Sequence, residues 1–76
     1  MNAYLAMDAG ERREFLAREL ADWIEAGFWS DGRAQVFYRR VRILARSIGM
    51  ALPEVMDELR ADAEQIVAAR AATSRA

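Results

Sequence analysis

Ser30–Gly49, SDGRAQVFYRRVRILARSIG, is the stretch on which the fold turns. At roughly 100° per residue, Phe37, Val41, Leu44 and Ile48 fall within one narrow arc, flanked by Ala34, Tyr38 and Ala45. That is the apolar face of an amphipathic helix. Ser30 or Asp31 supplies its N-cap, and Gly49 supplies the left-handed residue on which such a helix ends. The stretch also carries Arg33, Arg39, Arg40, Arg42 and Arg46. Of these, Arg39, Arg42 and Arg46 make a separate stripe at i, i+3 and i+7. Val36 and Ile43 lie together nearly opposite the apolar arc, where a helix buried on one side needs no aliphatic residues.

Upstream, Asp8 followed by Glu11 has the spacing of a capping box, and Gly27 marks a helix end. A helix over residues 9–26 is expected, with Leu16, Leu20, Trp23 and Ile24 on one face and Phe15 well off it. Residues 1–8 are expected to be a short flexible lead, with Phe28-Trp29 as the connection to the next helix. Downstream, Pro53 suits the first turn of a third helix, where its missing N–H is no loss. Val55, Met56, Leu59, Ala63, Ile66 and Val67 form its stripe, with Glu54, Asp57 and Glu64 on the far side. It should fade after Ala71 into a frayed tail, 72–76. No stretch alternates as a strand does. The expected architecture is therefore all-α: a single domain, 1–76, folded as a small three-helix bundle, antiparallel up-down-up, with helices at about 9–26, 31–48 and 53–71. A helix-turn-helix arrangement with more perpendicular crossings is the main rival.

Composition narrows the chemistry. The 76 residues are 54% hydrophobic, enough for one core near the lower size limit for a lone domain. Cysteine and histidine are both absent, which removes disulfides, the usual zinc sites, thiol nucleophiles and imidazole acid–base catalysis. Carboxylate pairs such as Glu54 with Asp57 lie on faces expected to be solvated, where nothing tunes them for catalysis. No catalytic residue, metal, cofactor or small-molecule substrate is expected. The N-terminus lacks the pattern of a signal peptide, and no apolar run has the length of a membrane span, so a cytoplasmic location without membrane contact is expected.

The charges are unevenly distributed. Residues 8–26 hold six acids against three arginines, residues 31–48 five arginines against one acid, and residues 53–72 five acids against two arginines; Arg75 brings the total to −1. The basic middle helix is either answered inside the bundle by its acidic neighbours or turned outward to an acidic partner. One further pattern bears on this. Residues 40–60, RVRILARSIGMALPEVMDELR, resemble the helix–Gly–helix segment that follows the DNA-reading helices in MerR-type regulators and the related chaperone-modulator proteins. The resemblance rests on Gly49, Leu52, Glu54 and Val55. The winged helix-turn-helix pattern of those families is missing upstream, and no functional residue is carried over.

Two functions remain. The favoured one is a non-enzymatic protein–protein interaction module (an adaptor, regulator or inhibitor of a larger protein or complex) whose partner is another protein or a second copy in a homodimer. Arg39, Arg42 and Arg46 would form its binding surface, with Val36, Ile43, Phe15 and Trp29 supplying the apolar part. The alternative is a DNA- or RNA-binding transcriptional regulator that uses the same arginine-rich helix, with Tyr38 beside it for stacking. The acidic remainder of the chain weighs against a broad contact with nucleic acid.

Overall fold

A few capping residues set the helix boundaries. A computed structural model describes residues 3–74, which form α1 (Ala3–Ala6), α2 (Ala9–Ala26), α3 (Asp31–Ile48) and α4 (Leu52–Ser74), with no strand among the described residues. The Asp8 carboxylate accepts the Glu11 N–H at 2.8 Å while the Glu11 carboxylate accepts the Asp8 N–H at 3.2 Å, completing the capping box of α2. Ser30 Oγ accepts the Arg33 N–H at 3.3 Å and so caps α3. Gly27 and Gly49 end these helices at φ 74° and 69°, a backbone conformation that an L side chain enters only at a cost of about 1–2 kcal/mol. Beyond Gly49, the Met50 N–H returns to the Ala45 carbonyl at 3.1 Å, the outer bond of a Schellman turn.

The chain is all-α, but its described residues form four helices rather than three. Part of the expected lead folds as α1, and its Tyr4 is buried. α4 runs three residues past its expected end, to Ser74. Of the lead and tail, residues 1–2 and 75–76 lie outside the described residues. The bounds of α2 and α3 are those expected from the caps.

The core comprises Leu16, Ala17, Leu20 and Ala21 of α2, Phe37, Val41, Leu44 and Ala45 of α3, and Val55, Leu59 and Ala63 of α4, joined by Tyr4 and Trp29. α2 and α4 share the most extensive contact. The small side chains of Ala17, Ala21 and Ala63 suit a close approach; Ala63 belongs to the expected α4 stripe, whereas Ala17 and Ala21 were not among the residues expected on the α2 face. Pairing along the helices shows their senses. Arg13, near the start of α2, meets Glu58 and Asp62 of α4, and Arg70, near the end of α4, meets Asp22 and Glu25 of α2. α2 and α4 therefore run alongside each other in the same sense. Between α2 and α3 the order reverses: Glu19 meets Arg40, and Trp23 meets Phe37.

Two expected core residues lie at the rim. Ile24 and Ile48 are exposed because each stands in the last turn of its helix, where neighbouring elements no longer cover it. Leu59 has no exposed surface, whereas Phe28 is 74% exposed. Leu59→Ala should therefore cost about 2–5 kcal/mol, enough to unfold much of a domain this small, while Phe28→Ala should stay within about 0.5 kcal/mol. Urea denaturation followed by circular dichroism measures both.

Candidate functional site

The α3 arginines divide into two sets. Arg40 turns inward along the edge of α2. Its Nη1 donates to Glu19 Oε1 at 3.0 Å, and its guanidinium lies over the rings of Tyr4 (5.5 Å) and Phe15 (5.4 Å). Arg33 lies over the Trp29 ring at 4.6 Å. Arg39, Arg42 and Arg46 are exposed and form no ion pair among the described residues. Most of the α2 acids, and Glu58 and Asp62 of α4, pair with other arginines. Arg13 and Arg70 each bridge two carboxylates across α2 and α4, and Arg18 pairs with Glu14 one turn away. The hydrogen bond that Arg13 donates to Asp62 raises the pKa of Arg13, and those that Arg70 donates to Glu25 and Asp22 raise that of Arg70. Both guanidinium groups stay firmly charged.

Val36, on the same outward side as the stripe, is 41% exposed, while Ile43 is half-buried against the core. Two depressions run along the stripe. One, of about 360 Å³, is lined by Gln35, Tyr38, Arg39 and Arg42; the other, of about 210 Å³, by Arg39, Arg42, Ile43 and Arg46. The outer face of α3 is therefore cationic and corrugated, with one aliphatic side chain exposed and a second at its edge. No group of three or more acidic side chains among the described residues is placed to hold a metal ion, and none of their charged side chains is buried. No described helix is long and apolar enough to cross a membrane.

Two residues expected on this surface lie elsewhere. Trp29 is only 7% exposed and belongs to the core. Its ring stacks on Trp23 at 4.5 Å and meets the edge of Phe37 at 5.4 Å, closing the α2–α3 end of the molecule. Phe28 is the member of the pair that reaches solvent. Phe15 is half-buried because α1 covers it: the Tyr4 ring lies 5.9 Å away, and Arg40 spans both rings. Only Arg39, Arg42, Arg46, Val36 and the edge of Ile43 are brought together.

Sequence reasoning did not foresee the attachment of α1. Tyr4 Oη donates to the Arg40 carbonyl at 2.8 Å, and Arg12 donates to the carbonyls of Tyr4 (3.2 Å) and Leu5 (3.0 Å). The only sequence sign of this latch is a lone tyrosine in a segment otherwise read as lead. No protein-family model matches the chain, and neither a curated protein nor a solved structure shows significant similarity to it.

Burial raises the pKa of the Tyr4 phenol above its ordinary value, against the opposing pull of Arg12 and Arg40. A folded-state pKa above the unfolded one means that the native state holds the proton longer. The corresponding stability is complete below about pH 10 and is lost as the pH rises through the folded value. Alkaline denaturation should therefore begin above about pH 10. Tyr4→Phe should flatten that limb while costing about 1 kcal/mol at neutral pH through the lost hydrogen bond. Ultraviolet titration should show the Tyr4 phenol ionising above the ordinary tyrosine range, a step that Tyr4→Phe removes.

Proposed function

We propose that the chain is a small non-enzymatic interaction module, an up-down-up bundle of three long helices with a short N-terminal latch, that binds an acidic surface of another protein through the outer face of α3. One observation carries this reading. Arg39, Arg42 and Arg46 stand exposed on α3 with no ion pair among the described residues, although α2 and α4 hold many acids and other arginines pair with several of these. A cationic stripe that contributes no internal ion pair is free to meet carboxylates outside, and Val36 beside it adds apolar area. The absence of buried charged groups among the described residues fits binding rather than catalysis. An adaptor, a regulator and an inhibitor would all work this way.

Nucleic-acid phosphates are the alternative ligand for the same three guanidinium groups, favoured by exposed Tyr38 beside them. The net charge of −1 and the acidic helices on either side speak against a broad phosphate contact.

The test is fluorescence anisotropy with a labelled acidic amphipathic helical peptide and a labelled DNA duplex. The peptide should bind, and Arg42→Glu with Arg46→Glu should weaken it at least about tenfold, or ~1.4 kcal/mol. The same double substitution should move folding stability by no more than about 0.5 kcal/mol. A duplex that binds more tightly than the peptide, with affinity collapsing as salt rises, would transfer the site to nucleic acid. Peptide binding indifferent to both substitutions would remove α3 from the interface.

A further inference from the structure

The chain carries on α4 a surface complementary to the one on α3. The side of α4 turned away from the core presents Glu54, Asp57, Ala61, Glu64 and Ala68, all exposed. None of Glu54, Asp57 and Glu64 takes part in an ion pair among the described residues, because the α4 acids that do pair, Glu58 and Asp62, face Arg13. Along α3 the exposed Val36, Arg39 and Arg46, with half-buried Ile43 at their edge, advance by steps of three and four, and along α4 Asp57, Ala61, Glu64 and Ala68 do the same. Laid on one another, the stripes set arginines against carboxylates and aliphatic side chains against alanines small enough to receive them.

We infer that the outer face of α3 docks on the outer face of α4 of a second copy of this chain, giving a heterologous, head-to-tail contact. The inference rests on the reading of α3 as a binding face and specifies its first partner. A symmetric α3–α3 dimer is the poorer arrangement, because it sets Arg39, Arg42 and Arg46 against their own counterparts with no facing acid but Asp31. The contact consumes α3 of one copy and α4 of the next, leaving a free face of each kind at the ends, so it propagates rather than stopping at a pair. A net charge of −1 raises no long-range barrier to such stacking. Arg60 flanks the acidic stripe and is the one like charge near it, at its margin. Exposed ion pairs are individually weak and screened by salt, so the assembly forms at high protein concentration and low ionic strength.

Sedimentation velocity on the full chain tests this. In low salt the weight-average mass should rise past that of a dimer as concentration increases, and moderate salt should return it to the monomer. Two variants, Arg39→Glu with Arg46→Glu and Asp57→Arg with Glu64→Arg, should each be folded by circular dichroism and monomeric alone. Mixed in equal amounts they should associate, since each then offers the face the other lacks. A wild-type chain that stays monomeric throughout overturns the inference, as does a dimer of fixed size that survives reversal of the α4 acids, or a mixture that fails to associate. If self-association is absent while the acidic peptide still binds wild-type α3, only the identity of the partner is wrong. If the peptide also ignores α3, the reading beneath it fails as well.

Discussion

Two helices that both carry more negative than positive charges, α2 by two and α4 by three, lie side by side in this protein. Coulomb repulsion between them would oppose the contact on which the fold most depends. Arg13 and Arg70 remove the difficulty, each reaching across to two carboxylates, one near the start of the shared surface and one near its end. Isolated surface ion pairs stabilise by about 0–1 kcal/mol, but these four also help hold the two helices in a single register. Beneath them, Ala17, Ala21 and Ala63 are fully enclosed. The remaining consequence falls on α3. With the acids of α2 and α4 that face each other paired to arginines of those same helices, Arg40 is the one α3 arginine that finds an acidic partner there among the described residues, Glu19, and the outer arginines of α3 are left to face outward.

Much of this was legible in the residues. The caps at Asp8, Gly27, Ser30 and Gly49 located α2 and α3, because each of these residue types satisfies a backbone requirement specific to a helix end. The apolar stripes identified Leu16, Phe37, Val41, Leu44 and Leu59 as core. What escaped depended on tertiary neighbours. Phe15 lies off the main face of α2, yet α1 and Arg40 shelter it, and a helical projection of one segment contains neither. Trp29 has no periodicity in a four-residue connection, and its burial follows from the adjacent Trp23 and Phe37 rings. Whether a basic helix would pair inward or outward was equally hidden, since that depends on which acids other arginines reach first.

The outer face of α3 and the latch formed by α1 meet at Arg40. Its side chain is held by Glu19, Tyr4 and Phe15, and its carbonyl by the Tyr4 hydroxyl. The exposed stripe thus rises from a helix fixed at its midpoint. A surface built on a rigid element loses less conformational freedom on binding than one built on a loop, which favours affinity from a small contact.

The stacked indoles have an optical consequence. Trp23 and Trp29 are the chain's only tryptophans, and they lie nearly parallel, 7° apart in plane, at the junction of α2 with α3. Their closeness couples the two chromophores, so intrinsic emission and near-ultraviolet ellipticity both report on this one corner of the molecule. A melt read by tryptophan emission will follow the parting of α2 from α3 at that corner.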